Sequence, residues 1–146
     1  MATRDLFCKG LPRALATELG DDAAPHYSAT GWMVKLWFGN KDLHYELGVY
    51  AQRKVVELGL HFESDPLTNL VLLGAFKAHA KTLARRLPTA RIESWDKGWA
   101  RVWEPIPLRP FDEPFGAQVT KTLARYVRVL EPMLEDALPA DARWST

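Results

Sequence analysis

The sequence predicts an α+β fold in which helices pack on one face of a five-stranded antiparallel sheet. Apolar and polar residues alternate over five short segments, as they do in strands with one buried face. Turn residues separate these segments closely enough to form hairpins. Apolar residues spaced by three and four mark three helices, which gives the element order α-β-β-β-α-β-β-α.

The 146 residues are predicted to form one domain, 1–146, that begins with a helical segment over 1–20. Three leucines share one face of this helix: Leu11, Leu15 and Leu19. Pro12 suits its first turn, and Gly20 ends it. Residues 21–30 are predicted to form a loop.

The predicted sheet occupies residues 32–104 and encloses a central helix over 66–87. Its strands are Met33–Phe38, Leu43–Tyr50, Lys54–Glu63, Arg91–Trp95 and Trp99–Glu104. Asp65 and Pro66 supply a cap and a first-turn proline for the central helix. The last hairpin turns at Gly98, where a left-handed residue is needed.

A proline-rich connector leads to the final helix, predicted over 114–138. Pro114 opens this helix, and its apolar residues are spaced by three and four from Phe115 to Leu134. Residues 139–146 are predicted to be a loose tail.

Strand registers follow from the requirement that apolar residues share a face. Leu43 then lies opposite Phe62, which places His44 opposite His61 on the other face. The same rule pairs Lys35 with Glu46, a favourable arrangement of opposite charges. In the last hairpin, the register places four residues on the same face as the histidines: Arg91 opposite Trp103, and Glu93 opposite Arg101.

The face opposite the aliphatic one combines tryptophan with charged residues. Its predicted binding residues are Trp37, Trp95, Trp99, Trp103, Arg91, Arg101 and Glu46. Tryptophan and arginine are typical of interface centres, which favours an interaction surface for a second copy of the chain or for a protein or peptide partner. Two alternatives remain: the termini cover the tryptophans, or the face forms a small-molecule cleft.

The same face offers a second functional hypothesis, a metal-dependent enzyme. His44, His61, Glu46 and Glu63 carry the imidazole and carboxylate ligands that suit Zn²⁺, Mn²⁺ or Fe²⁺. Cross-strand neighbours are close enough for two histidines to share an ion. No helical metal motif or phosphate-binding glycine loop accompanies them, so the main prediction includes no cofactor and no catalytic residue.

Net charge, apolar runs and cysteine content bear on the other classes of function. The net charge of +1 argues against nucleic acid as a partner, although basic residues on two predicted helices keep it as a third hypothesis. No apolar stretch is long enough to span a membrane. The single cysteine, Cys8, cannot form an internal disulfide, and we expect a reducing, cytoplasmic setting.

The element order resembles that of type III secretion chaperones and the related YbjN-like proteins, over most of the chain. The segment from Glu57 to Glu63 also resembles uncharacterised bacterial proteins. The chaperone resemblance implies a homodimer that binds segments of partner proteins and has no catalytic activity.

Overall fold

The structure, a computed structural model, describes residues 3–20, 24–95 and 98–138, and within these it has six strands and four α-helices. The helices are α1 (Arg4–Leu19), α2 (Pro66–Ala78), α3 (Ala80–Arg86) and α4 (Glu113–Ala137). The strands are β1 (His26–Ala29), β2 (Met33–Trp37), β3 (Leu43–Tyr50), β4 (Val55–Phe62), β5 (Arg91–Trp95) and β6 (Trp99–Pro107). The predicted α+β class with an antiparallel sheet is confirmed.

The strands lie in the order β1-β2-β3-β4-β6-β5, and every neighbouring pair is antiparallel. The chain leaves β4 through α2 and α3, forms the edge strand β5, and returns as β6 beside β4. The predicted registers are confirmed, including His44 opposite His61 and Glu93 opposite Arg101.

The hydrophobic core lies between the sheet and the helices. Alternate residues of β3 and β4 are completely or almost completely buried there, among them Tyr45, Leu47 and Leu60. Helix α4 supplies the largest share of the opposing surface and contacts β4, α1 and α2. Because strand side chains alternate between faces, the remaining residues of β3 and β4 point away from the helices.

The predicted strand count of five is wrong because the sheet has a sixth strand, β1, within the segment predicted as a loop over 21–30. Strand β1 pairs with β2 at the edge of the sheet, with His26 opposite Trp37. Three of its four residues are exposed, so it carries no alternation between buried and exposed residues. The sequence of β1 therefore lacks the hydrophobic periodicity from which a strand is predicted.

The predicted central helix over 66–87 is also wrong as one element, because it breaks at His79 into α2 and α3. His79 has φ −101° and ψ 22°, outside helical geometry. The helical spacing of apolar residues continues from Phe76 to Leu83, so the break at His79 does not interrupt the hydrophobic pattern of the sequence. The described order becomes α-β-β-β-β-α-α-β-β-α and differs from the order on which the chaperone resemblance was based.

The start of α2 and the last turn follow local sequence signals. The expectation that Pro12 belongs to the first turn of the N-terminal helix is wrong, because α1 begins at Arg4 and contains Pro12 in its interior. The Asp65 carboxylate accepts a hydrogen bond from the Thr68 amide at 2.9 Å and caps α2. Gly98 has φ +74°, the left-handed conformation predicted for it. The predicted tail, 139–146, lies outside the described residues. None of the helices in the described parts of the chain is long and apolar enough to cross a membrane.

Candidate metal centre

The sheet face away from the helices carries two histidines and two glutamates, which we call the His–Glu cluster. His44 and Glu46 come from β3, His61 is the last residue but one of β4, and Glu63 directly follows that strand. His44 and His61 are cross-strand partners, and their rings stack with centroids 5.7 Å apart. The antiparallel register therefore brings together two copies of the pattern His-x-Glu, with one glutamate on each side of the histidine pair.

The distances within the His–Glu cluster fit a single metal ion. His44 Nε2 lies 3.0 Å from Glu46 Oε2 and 3.8 Å from Glu63 Oε2. His61 Nδ1 lies 3.4 Å from Glu46 Oε2 and 3.1 Å from Glu63 Oε2. Ligands about 2.0–2.2 Å from a tetrahedral ion are about 3.3–3.6 Å apart, so these four His–Glu separations are close to that spacing, whereas the more distant ligand pairs would have to approach on binding. All four ligand atoms lie within 4.8 Å of one another.

A backbone hydrogen bond orients the first histidine. His44 Nδ1 lies 3.0 Å from the carbonyl oxygen of Lys41, so Nδ1 carries the hydrogen and donates it. In a neutral imidazole, Nε2 then presents a lone pair towards the two carboxylates. His44 Nε2 and Glu46 Oε2, both hydrogen-bond acceptors in these forms, lie 3.0 Å apart. Such a short separation requires a positive charge between the two atoms, either a proton or a metal ion. Metal-bound histidines commonly use the other ring nitrogen in this way.

The electrostatics of the His–Glu cluster favour ionised carboxylates. Burial raises the pKa of Glu46, but the hydrogen bond from His44 and the potential of both imidazoles outweigh it and hold the pKa below its ordinary value. Glu63 is affected in the same way, with His61 as the hydrogen-bond donor. The side chains of the cluster are only 5–16% exposed, so their charges are poorly screened by water.

Two clefts open beside the His–Glu cluster, and Trp99 lines both. The smaller has a volume of about 230 Å³, reaches His44 and Glu63, and has Trp37, Lys35, Lys41 and Asp42 in its walls. The larger has a volume of about 380 Å³, reaches Glu46, His61 and Glu63, and is lined also by Tyr50, Glu93 and Arg101. A ligand in either cleft would meet the cluster from the solvent side.

The predicted binding residues at the β5–β6 end of the face lie in a packed network. Trp103 is only 7% exposed and is covered by the guanidinium of Arg101, 3.8 Å from its ring centroid, and by that of Arg91 at 5.2 Å. Arg101 also donates to Glu57 and Glu93, at 2.9 and 2.7 Å. This end of the face is filled by its own side chains.

The remaining predicted tryptophans lie near the clefts or outside the described side chains. Trp37 is half-buried, stacks with His26 and has the Lys41 ammonium 5.2 Å from its ring centroid. Trp99 is half-buried as well. The backbone of Trp95 pairs with Trp99, but the side chain of Trp95 is outside what the structure describes.

Sequence reasoning missed two residues that line the clefts. Tyr50 has the same strand parity as His44 and Glu46, so alternation along β3 could have placed it on this face. Lys41 lies in a turn, where parity has no meaning, and only the folded turn brings it to the cleft.

Comparison with known proteins finds no family model, no curated protein and no solved structure that matches this chain. Any functional conclusion therefore depends on the geometry of this face.

Proposed function

We propose that the protein binds one divalent transition-metal ion in the His–Glu cluster and acts as a metal-dependent enzyme on a small ligand. The observation that carries this proposal is the orientation of His44. Its Nδ1–H donates to the Lys41 carbonyl, and its Nε2 faces two partly buried carboxylates. One divalent cation balances both carboxylates and accepts both imidazole lone pairs, whereas without a metal ion each histidine would have to carry its own extra proton to balance both charges.

The donor set determines which ions fit. Two imidazole nitrogens and two carboxylate oxygens suit Zn²⁺, Mn²⁺ or Fe²⁺, and the lack of a thiolate in the cluster disfavours softer ions. Mn²⁺ and Fe²⁺ commonly bind more than four ligands, so a position would remain for a ligand from the clefts.

The location of the centre favours a catalytic over a structural role. All four ligands belong to β3, β4 and the residue after β4, which are already joined by a continuous ladder from Leu43 to Phe62. A metal ion here would connect no separate elements of the fold. The ligands instead border two clefts, as in catalytic centres that keep a position open for substrate.

Metal titration tests this proposal. Chelator-stripped protein is titrated with Zn²⁺, Mn²⁺ and Fe²⁺, the last without oxygen, and bound metal is counted by elemental analysis after dialysis. We expect one equivalent of at least one ion in the wild type. His61→Ala should weaken binding by about 100-fold or more, since even second-shell losses cost 10–100-fold.

Two further variants make the result specific. Glu63→Gln keeps the shape of the side chain and should also weaken metal binding. This variant tests the ligand set even if His61→Ala does not fold. His26→Ala removes a histidine of β1 that is not one of the four residues of the His–Glu cluster, and it should bind metal like the wild type. Absence of stoichiometric metal in the wild type, or equal affinity in all variants, would overturn the proposal.

A second proposal is that this face binds a second copy of the chain. It is favoured by Trp37 and Trp99, which remain half-buried and form the walls of the clefts, because aromatic side chains are enriched at interface centres. Sedimentation velocity distinguishes the two proposals. If the wild type is a dimer and Trp99→Ala is a monomer with unchanged metal content, the face is an interface; a wild-type monomer at all concentrations contradicts self-association.

A further inference from the structure

The smaller cleft, which we call the lysine cleft, has the chemistry of an anion site. It is bounded by Trp37 and Trp99, has Lys35, Lys41 and Asp42 in its walls, and ends on two members of the His–Glu cluster. Its volume of about 230 Å³ is below the range of about 300–1,000 Å³ for drug-sized ligands, so it suits a small molecule.

The turn between β2 and β3 fixes one lysine relative to the His–Glu cluster. The buried Asn40 side chain accepts a hydrogen bond from the Asp42 amide at 2.9 Å, and the Lys41 carbonyl accepts one from His44 at 3.0 Å. The Lys41 ammonium lies 5.2 Å from the Trp37 ring centroid, a cation–π contact. The residue that orients His44 through its backbone therefore also carries a cation at the cleft.

The second lysine comes from the sheet itself. Lys35 lies directly opposite Glu46 in the β2–β3 ladder, which places it beside the cluster. Among the residues that the structure describes, neither Lys35 nor Lys41 forms an ion pair. Neither ammonium group is therefore held in an ion pair with a described residue, although Lys35 is close enough to Glu46 to help lower the pKa of that carboxyl.

The charges that face the lysine cleft favour an anion once the metal is bound. A divalent ion balances the carboxylates of Glu46 and Glu63, and two ammonium groups then face the single carboxylate of Asp42. One net positive charge remains. An oxyanion that reaches the metal would also meet both lysines without displacing any existing ion pair.

We propose that the lysine cleft binds the oxyanion group of a small ligand, a carboxylate or a phosphate, with one oxygen on the metal and the charge shared with Lys35 and Lys41. The inference rests on the proposed metal centre and specifies its substrate class. The side chains of Trp37 and Trp99 line the cleft and favour an aromatic or other apolar body attached to the oxyanion.

Anion titration of the metal-loaded protein tests this inference, with inorganic phosphate and benzoate as the two probes. Calorimetry should show saturable binding of at least one probe, and the stronger probe identifies the oxyanion class. Lys35→Met and Lys41→Met should each weaken it about tenfold, equivalent to about 1.4 kcal/mol. Asp42→Asn should strengthen it, because it removes the opposing charge from the same cleft.

The controls separate this inference from the proposed function. Metal affinity is measured for every variant, and Lys81→Met serves as a lysine control on α3 with no expected effect. If metal binds but neither probe binds, or if the lysine and aspartate variants leave the affinity for anions unchanged, the anion site is wrong and the metal centre stands. If no metal binds to the wild type, both proposals fail.

Discussion

At the scale of single residues, Cys8 shows how burial determines chemistry. Its side chain is fully buried in α1, and burial raises the pKa of the thiol from 9.0 to about 11. Because the thiolate is the reactive form, the folded protein should not react with a thiol reagent at pH 8. One equivalent should react after denaturation, and rapid reaction of the native protein would contradict the buried placement.

The raised pKa of Cys8 also predicts a pH dependence with a definite sign. The unfolded thiol ionises near pH 9.0 and the folded one near 11, so its contribution to stability is complete below pH 9 and is lost as the pH rises towards 11. We expect the free energy of unfolding of the wild type to fall more over this window than that of Cys8→Ala. Equal slopes in denaturant titrations would contradict the prediction.

The predictability of the site also differs from residue to residue. Strand parity alone places His44 beside His61, because a slip of one residue would expose the whole aliphatic set. Parity does not predict that Arg101 and Arg91 cover Trp103, since this depends on side-chain conformations that sequence does not show. Trp103 consequently belongs to a packed end, and Trp37 and Trp99 belong to a cleft wall, so these three tryptophans do not form one continuous surface.

At the scale of elements, the contact between β4 and β6 depends on one glycine. Gly59 lies opposite Trp103, and a Cβ at this position would be 2.5 Å from the Trp103 Cβ. Gly59→Ala should therefore destabilise the protein by about 1–3 kcal/mol, the usual cost of overpacking. Denaturant titration measures this change, and tryptophan fluorescence should shift as Trp103 moves.

A glycine in α2 provides the matched control for Gly59. A Cβ on Gly74 would contact nothing within 4 Å, and Gly74 has no positive φ. Gly74→Ala should be neutral or should stabilise the helix by up to about 1 kcal/mol. A Gly59→Ala protein as stable as Gly74→Ala would show that β4 and β6 are not packed as described.

Elements were predictable from sequence where burial imposes a period. The sequences of β3 and β4 alternate in hydrophobicity because one face of each strand lies in the core, and this alternation predicted their register. Strand β1 is exposed at the edge, and the break at His79 leaves the apolar spacing intact. Neither feature changes the hydrophobic pattern, so neither could be found from it.

At the scale of the whole molecule, two buried tyrosines join α4 to the sheet. Tyr126 of α4 donates to Glu104 of β6 at 2.9 Å, and Tyr45 of β3 donates to Glu131 of α4 at 2.9 Å. The helix provides the donor of the first hydrogen bond, and the sheet provides the donor of the second. They fix the position of α4 beneath the sheet whose other face carries the His–Glu cluster.

Removing one of these bonds should lower global stability. Tyr126→Phe deletes the hydroxyl and leaves the half-buried Glu104 without that donor, at a cost of about 1.5–3 kcal/mol for a hydrogen bond to a charged group. Tyr27→Phe changes an exposed tyrosine on β1 and should have no measurable effect. Thermal unfolding of both variants tests the prediction, and equal melting temperatures would contradict it.

The most direct test of the metal centre is a crystal structure of the protein grown with the ion that binds in solution, with data collected at the absorption edge of that metal. We expect one anomalous peak on the sheet face, about 2.0–2.2 Å from His44 Nε2, His61 Nδ1 and one oxygen of each glutamate. A fully loaded protein with its peak elsewhere, or with His44 and His61 turned away from the ion, would contradict it.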